Sequence, residues 1–307
     1  MENNHYVYGP ISSRRLGQSL GISPMLKKTC NYNCIYCQLG HTHFLTNRFN
    51  HFVDVEVILK EIDAVLKTGI EFDTISIAGN GEPTLYDALE ALIAGIKSKT
   101  TKPLAIITNG ALLYEERVKK ALLKCDIVLP SINGYDPLSH IKINRPHKAL
   151  DFKKVSQALI DFSREFKGEL WLEIMLMKSI NDSDQALKGY LKLLENINYD
   201  KLYLNVPVRP PSEKHIEIPT DDCIQKFANK LNAIPIHQLA SPEYKSTIAE
   251  DYEALISILK HHPLNQFEII AFLKARNADD GDVFNTLDQD SNIECIHYKN
   301  LKTYRYK

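Results

Sequence analysis

The chain has 307 residues, of which 44% are hydrophobic and 24% charged, and its formal net charge is −1. This length suffices for a large α/β domain and a small second one, and the charge gives no general reason to expect a polyanionic partner. The N-terminus, MENNHYVYGP, lacks the basic and apolar regions of a secretory signal, and no apolar run is long enough to cross a bilayer. We therefore expect a soluble, cytoplasmic protein without a membrane partner.

Strand-like and helix-like segments alternate along most of the sequence. The first strand is predicted at residues 17–26, and apolar residues at helical spacing predict a helix over residues 54–67. Further strands are predicted from Thr74 (TISIAG), Pro103 (PLAIITNG), Asp126 (DIVLPSI), Glu169 (ELWLEIMLM), Lys201 (KLYLNVPV) and Ile234 (IPIHQL). The helices between them are predicted at 85–97, 115–124, 152–166, 183–195 and 221–231.

Repeated strand–helix units predict parallel strands joined by right-handed crossovers. About six such units fit a partial (β/α)6 TIM-like barrel over residues 1–240. A doubly wound sheet has the same order of elements, so the order alone does not choose between them. In both folds, binding groups lie at the C-terminal ends of the strands.

The C-terminal part of the chain has a different pattern. Residues 241–250 are polar and are predicted to be a linker. Residues 251–307 contain three predicted short helices and a two-stranded ribbon that turns near Lys299 and Asn300. The second helix starts with an N-x-x-E capping box made by Asn265 and Glu268. Three helices and a hairpin resemble a winged-helix domain.

Three of the six cysteines are crowded into CNYNCIYCQLG, where Cys30, Cys34 and Cys37 follow a C-x3-C-x2-C spacing. A reducing cytosol disfavours a disulfide knot, which leaves an iron–sulfur centre or a zinc knuckle. Iron–sulfur clusters usually have four thiolate ligands, so three would leave one position open for a substrate or cofactor. His41 and His43 are candidate zinc ligands, although a solvent-facing pair is the more ordinary interpretation. The remaining cysteines are interpreted as buried structural thiols: Cys125, Cys223 and Cys295.

This spacing, with Tyr36 just before the third cysteine, resembles the signature of the radical S-adenosylmethionine (radical SAM) superfamily. The resemblance implies that the three cysteines bind a [4Fe-4S] cluster and that Tyr36 lies beside the adenine of S-adenosylmethionine.

A second match is AGNGEPTL, after the next predicted strand. The resemblance assigns Gly79, Asn80, Gly81 and Glu82 to the amino group of S-adenosylmethionine. Glycines allow close approach of the backbone to a ligand, and a carboxylate complements an ammonium group. The alternative is a plain turn in which Pro83 starts the next helix.

Polar residues at later strand ends are further candidates. Asn109, in ITNG, is assigned to the cofactor ribose, while Ser131, in LPSI, is assigned to the cofactor carboxylate or ribose. Glu173 and Asn181, in and after the strand from Glu169, are candidates for ribose or substrate contacts. A charge inside a strand at a barrel interior requires a partner.

The opening YGPISSRRLGQSLGIS, residues 8–23, resembles one branch of the superfamily, iron–sulfur oxidoreductases related to the wyosine tRNA-modifying synthases. Arg14 and Arg15 in this stretch are candidates to clamp a carboxylate or phosphate, or they form a solvated surface pair. The synthases carry further cysteines upstream for a second cluster. No cysteine precedes Cys30 here, which argues against that specific reaction.

The resemblance implies reductive cleavage of S-adenosylmethionine to a 5′-deoxyadenosyl radical, with an external flavodoxin- or ferredoxin-like electron donor. The radical would take hydrogen from RNA or a small molecule. One alternative is an enzyme that modifies a peptide or protein docked on the winged helix. Another is a non-enzymatic metal-binding nucleic-acid regulator, which would not need Glu82.

Residues 250–307 hold seven Lys/Arg and ten Asp/Glu, and this negative balance disfavours DNA as a partner. The ribbon cations leave RNA contact open: Lys299, Lys302, Arg305 and Lys307.

Overall fold

The computed structural model describes residues 5–25, 28–236, 243–278 and 281–307. The strands are β1 (Val7–Ser13), β2 (Gly17–Ile22), β3 (Thr29–Cys30), β4 (Phe44–Leu45), β5 (Thr74–Ile77), β6 (Leu104–Thr108), β7 (Ile127–Pro130), β8 (Glu169–Met175), β9 (Lys201–Asn205), β10 (Ile234–Pro235), β11 (Leu264–Asn265), β12 (Ile293–Tyr298) and β13 (Leu301–Tyr306). The helices are α1 (Val55–Lys67), α2 (Leu89–Lys99), α3 (Glu116–Leu122), α4 (Pro137–Asn144), α5 (Phe152–Glu165), α6 (Asp184–Leu194), α7 (Asp221–Leu231), α8 (Asp251–Leu259), α9 (Gln266–Ala275) and α10 (Val283–Gln289).

The main sheet has the order β1-β2-β5-β6-β7-β8-β9-β10 within the described residues. β1 is antiparallel to β2, and the other neighbours are parallel. A helix follows each parallel strand from β2 to β9, as the predicted strand–helix units require. The partial-barrel prediction is therefore confirmed, with an open sheet whose edges are β1 and β10.

Burial explains why these segments form strands and helices. β5 and β7 are buried along their whole length, as expected for parallel strands covered on both faces. α1 places Ile58, Ile62 and Val65 on its buried side. Side-chain oxygens at the N-caps accept backbone N–H bonds in three of the outer helices and fix where these helices begin: Asp151 for α5, Ser183 for α6 and Thr220 for α7.

Among the longer elements, β1 and α4 were not predicted from the sequence. β1 contains Gly9 and Pro10, which are typical of a turn, but it pairs with β2 and lays the ring of Tyr8 over Gly21. α4 is short, and its start is fixed by a capping box between Asp136 and Ser139. β1 depends on its pairing with β2, whereas α4 is set by a local capping box and shows no clear apolar periodicity.

The C-terminal part contains α8, α9, α10 and an antiparallel sheet in the order β11-β13-β12. The predicted capping box is present: Glu268 N donates to Asn265 Oδ1 at 3.1 Å, and Asn265 N donates to Glu268 Oε2 at 2.8 Å. The hairpin turns at Lys299 and Asn300, whose φ angles are 52° and 60°, as a type I′ turn requires. The domain boundaries stay predictions, and residues 241–242 of the predicted linker lie outside the described residues.

A buried ion pair fastens the C-terminal part to the main sheet. Arg209, which follows β9, donates to Glu268 Oε2 at 3.0 Å and Oε1 at 2.9 Å, and to the Tyr244 hydroxyl at 2.8 Å. The Arg209 and Glu268 side chains are only 11% and 9% exposed. Residues beside Tyr244 pair with β1, since Ser12 N donates to Glu243 O.

Removing one partner of this ion pair is expected to be costly. Arg209→Met should lower the free energy of unfolding by about 3 kcal/mol or more, because Glu268 would stay buried without its counter-ion. Urea unfolding of both proteins measures this difference. Arg145→Met is the matched control, since Arg145 pairs with Glu213 at a more exposed position, and it should cost less than about 1 kcal/mol. Equal losses in the two variants would contradict this assignment.

Candidate active site

A cleft of about 520 Å³ lies at the C-terminal ends of the parallel strands. Most of the sequence-predicted site residues line it together: Arg14, Arg15, Cys30, Cys34, Tyr36, Cys37, Gly79, Gly81, Glu82, Asn109, Ser131 and Glu173. Asn80 and Asn181 are not among its lining residues. These side chains therefore meet at the C-terminal ends of the strands, as the order of elements predicted.

Cys30 ends β3, and Cys34 and Cys37 follow on a loop held by backbone bonds. Cys37 N donates to Cys34 O at 3.2 Å, and Ile35 N donates to Ile143 O at 3.0 Å. The three thiols are free and half-buried. Burial raises the pKa of Cys34 to about 12 and also raises the pKa of Cys37, which the nearby cations of Lys28 and Arg305 partly oppose. A bound metal reverses this balance, because its positive charge favours the thiolate.

The three thiols are placed for an iron–sulfur cluster, not for a single metal ion. Among the described residues, no three His, Cys, Asp or Glu side chains converge tightly enough to hold a single metal ion. A cubane does not need such convergence, because each thiolate binds a different iron. Three free thiols on one loop, all lining one cleft, supply the soft donors that iron–sulfur clusters take. The residues therefore fit a [4Fe-4S] cluster with three protein ligands.

The glycine turn after β5 is locked onto the start of the cysteine loop. Thr29 N donates to Asn80 O at 3.2 Å, and Glu82 N donates to Thr29 O at 3.1 Å. A Cβ atom at Gly81 would lie only 1.7 Å from Thr29 O, and one at Gly79, where φ is +129°, would lie 2.4 Å from Ser23 Oγ. Only glycine fits at these two positions, so the turn and the loop form one unit.

Glu82 ties the ends of β5 and β6 together and still lines the cleft. It is 2% exposed. Its Oε1 accepts three hydrogen bonds, from Thr84 N and from the hydroxyls of Thr84 and Thr108, while Oε2 accepts one, from Asn109 N at 2.7 Å. Burial raises the pKa of this carboxyl, and the hydrogen bonds oppose the rise. Oε2 keeps capacity for one more donor.

Asn109 supports the cysteine loop, since its Nδ2 donates to Asn31 Oδ1 at 2.6 Å. The hydroxyl of Tyr36 accepts a hydrogen bond from Asn133 Nδ2. The backbone of Ser131 pairs with that of Glu173 in an isolated parallel β-bridge. All three predicted residues therefore lie on the cleft wall, held in position by neighbours.

The structure places two predicted residues away from the cleft lining. The Oδ1 of Asn80 lies 3.2 Å from His261 Nδ1 in the C-terminal part. Asn181 is fully buried, and its amide donates to Met175 O at 2.9 Å and to the Tyr190 hydroxyl at 2.8 Å. Asn181 therefore shapes the turn after β8 from within the core.

Arg15 is the partner that the in-strand carboxylate of Glu173 required. Arg15 Nη1 pairs with Glu173 Oε2, and the two side chains are only 16% and 12% exposed. Arg14 Nη1 donates to Ile236 O at 3.1 Å. The two arginines thus line the cleft and are not a solvated surface pair.

Sequence reasoning missed the roof of the cleft, which comes from the C-terminal part: His261, His262, Asn265 and Glu268. The ring of His261 stacks on Tyr8 with centroids 4.1 Å apart. Burial lowers the pKa of His261 to about 3 and holds that of His262 well below its usual range. The adjacent histidines at the end of a predicted helix were the available signal, but nothing local connects them to residues near the start of the chain.

The other candidate metal ligands lie elsewhere. His41 and His43 are exposed and are not among the residues lining the cleft. Cys125 is buried and Cys223 half-buried, but Cys295 is exposed. The prediction of a buried thiol was wrong for Cys295, because this residue points outward from β12.

Comparison with known proteins identifies the family. The family model described as the radical SAM superfamily matches residues 26–191. The chain belongs to this superfamily. It is therefore a radical SAM enzyme that uses a [4Fe-4S] cluster and S-adenosylmethionine, as the cysteine spacing and the strand-end motifs indicated. No helix among the described residues combines the length and apolarity that spanning a membrane requires.

Three similar proteins set the range of this likeness. A UPF0026 protein of Methanocaldococcus jannaschii is 32% identical over 97% of both chains. A protein of Brachyspira hyodysenteriae named GTPase Obg is 41% identical over 72% of this chain. The present chain covers only 32% of that relative's length. A structure of TYW1 with a lysine–pyruvate adduct bound covers 70% of this chain and 72% of its own, with a TM-score of 0.53 and 21% identity. At 21% identity, the similarity to TYW1 shows only that the two proteins share a fold.

Proposed function

We propose that this radical SAM enzyme takes hydrogen from a small molecule held beneath the roof of the cleft. The observation that carries the proposal is that one cleft is lined by the three cysteines, the glycine turn and the Arg15–Glu173 pair. Cys30, Cys34 and Cys37 would hold the cluster, which would supply the electron for reductive cleavage of S-adenosylmethionine to methionine and a 5′-deoxyadenosyl radical.

The chain's own residues would bind and orient the cofactor. Gly79 and Gly81 line the cleft and would offer backbone groups to the cofactor amino group, and the spare capacity of Glu82 Oε2 suits an ammonium donor. Asn109 and Ser131, on neighbouring strand ends, would face the ribose or carboxylate. Tyr36 would lie beside the adenine.

The roof supports a small substrate over RNA or a folded protein. The cleft must hold both cofactor and substrate within about 520 Å³, which lies within the usual range for small-molecule sites. TYW1 has a lysine–pyruvate adduct, whereas the described residues that line this cleft include no lysine. A corresponding lysine–pyruvate adduct is therefore not part of the function proposed for this enzyme.

The relative named as a GTPase does not suggest a nucleotide site here. A phosphate-binding P-loop contains Gly-Lys, and this sequence has no Gly-Lys pair.

We propose a flavodoxin- or ferredoxin-like protein as the electron donor and the cytoplasm as the location. Peptide modification remains the second candidate substrate class, and family membership supports an enzyme over a nucleic-acid regulator.

The proposal is tested by following the abstracted hydrogen. The reconstituted, reduced enzyme is incubated with S-adenosylmethionine and with fractions from cells grown in deuterated medium: small molecules, total tRNA, and peptides. Mass spectrometry then measures deuterium in 5′-deoxyadenosine. We expect deuterium transfer from the small-molecule fraction. Transfer from the tRNA or peptide fraction alone would overturn the proposed substrate class.

A further inference from the structure

Three arginines line the cleft together with His262 of the roof: Arg14, Arg15 and Arg209. Arg209 Nη1 also donates to the carbonyl of Pro263, which directly follows His262. Burial lowers the pKa of His262 most, and the charges of the three arginines lower it further. His262 Nδ1 is 3.4 Å from the side-chain amide of Gln38, the residue after Cys37. The arginine cluster therefore adjoins the cysteine loop.

The positive charge of this cluster is only partly offset. Glu268 binds two nitrogens of Arg209, and Glu173 pairs with Arg15. Among the described residues, Arg14 has no ion pair with a carboxylate, and its hydrogen bond goes to the carbonyl of Ile236. Two carboxylates therefore face three guanidinium groups, which leaves one positive charge in a largely desolvated place.

Burial and mutual repulsion make this arrangement costly without an anion. Burial lowers the pKa of Arg15 to about 10, and the charge of Arg14 lowers it further. Burial, followed by the charge of Arg209, also lowers the pKa of Arg14. Arg15 Nε is buried without a hydrogen-bond partner in the described part of the chain. Buried N–H groups in native proteins nearly always have partners, so this donor is available to a bound group.

We propose that Arg14 and Arg15 bind the carboxylate or phosphate group of a small anionic substrate at this end of the cleft. This inference rests on the proposed function, because it names the substrate class for the same site. An oxyanion supplies the missing negative charge and accepts hydrogen bonds from the planar guanidinium groups, which match its geometry. Glu173 pairs with Arg15 and Glu268 with Arg209, so the one uncompensated charge suits a single such group.

A polyanion fits this place poorly. RNA binding requires a broad set of cations along the backbone path, whereas one uncompensated guanidinium lies under a roof. That roof belongs to a segment, residues 250–307, that holds seven cations and ten carboxylates. The geometry favours a compact anion.

Calorimetric titration of the full-length, cluster-loaded enzyme tests the inference, with inorganic phosphate and acetate as separate probes. We expect saturable binding of at least one probe, and the tighter of the two identifies the oxyanion type. Arg14→Gln should weaken that binding about tenfold or more, because it removes a charge-assisted contact. Arg14→Lys, which keeps the charge, should restore part of it. Arg164→Gln, at a position on α5 with a 59% exposed side chain, is the matched control and should bind as the unmodified enzyme does.

Two outcomes would overturn the inference: no saturable binding of either ion, or equal loss in the Arg14→Gln and Arg164→Gln variants. Binding of total tRNA that depends on Arg14, without binding of either ion, would replace the small anion by RNA. Cleavage of S-adenosylmethionine by the unmodified enzyme is measured in parallel. Absence of cleavage would count against the proposed function, whereas cleavage without ion binding would count against this inference alone.

Discussion

Replacing Cys34 by alanine is expected to abolish both cluster binding and S-adenosylmethionine cleavage. The Cys34 backbone is held independently of the thiol, since Cys34 O accepts hydrogen bonds from Cys37 N at 3.2 Å and Ser212 Oγ at 2.8 Å. The loop should therefore keep its conformation and lose only a ligand. Loss of even a supporting contact to a metal ligand costs about 10- to 100-fold, so loss of the ligand itself should exceed about 100-fold. Iron content and 5′-deoxyadenosine yield measure the effect.

Cys223→Ala is the matched control for this prediction. Cys223 is also a half-buried thiol, but it lies on α7 and does not line the cleft. This variant should keep the iron content and the yield of the unmodified enzyme. A Cys34→Ala variant that still cleaves S-adenosylmethionine would refute the ligand assignment.

Gly81→Ala is expected to have the second large effect, through the backbone. The added methyl group would lie 1.7 Å from Thr29 O, and Thr29 precedes the first cysteine directly. Relief requires moving either the glycine turn or the cysteine loop, because hydrogen bonds join the two. We expect a loss of about 3 kcal/mol in the free energy of unfolding, the upper end of the usual cost of overpacking, together with lower iron content after reconstitution.

Gly69→Ala separates this overlap from the general cost of replacing a glycine. Gly69 has a φ of +71°, and an added Cβ atom there would meet nothing within 4 Å. It should cost about 1–2 kcal/mol, which is the penalty for the left-handed conformation, and should leave iron content unchanged. Urea unfolding and iron analysis of both variants make the comparison. Equal effects at the two positions would show that the contact with Thr29 does not matter.

The parts of the fold that were predictable are those set by local sequence. Apolar periodicity predicted α7 at its observed bounds, Asp221–Leu231. The capping box at Asn265 and the turn at Lys299 and Asn300 depend on residues a few positions apart, and both are present. The strand-end candidates meet because parallel strands bring their C-terminal ends to one edge of the sheet.

The parts that were not predictable depend on contacts between distant positions. β1 contains Gly9 and Pro10 and becomes a strand because β2 pairs with it. The roof depends on His261 contacting Asn80, 181 positions earlier in the chain. Tertiary packing also decided the setting of Asn181, whose amide is occupied inside the core.

The pairing of Arg15 with Glu173 lies between these cases. The sequence indicated that a carboxylate inside a strand requires a partner, and it identified Arg15 as a candidate for binding an anion. It did not connect the two, because they are 158 positions apart. The structure joins them and leaves Arg14 as the arginine without a carboxylate partner among the described residues.

The most direct test of the account is the product formed from S-adenosylmethionine by the anaerobically reconstituted, dithionite-reduced enzyme. Chromatography with mass spectrometry measures 5′-deoxyadenosine and methionine, and metal analysis measures iron and zinc in the same sample. We expect both products in equal amounts, with about four irons per chain. Zinc in place of iron, with no 5′-deoxyadenosine, would contradict it.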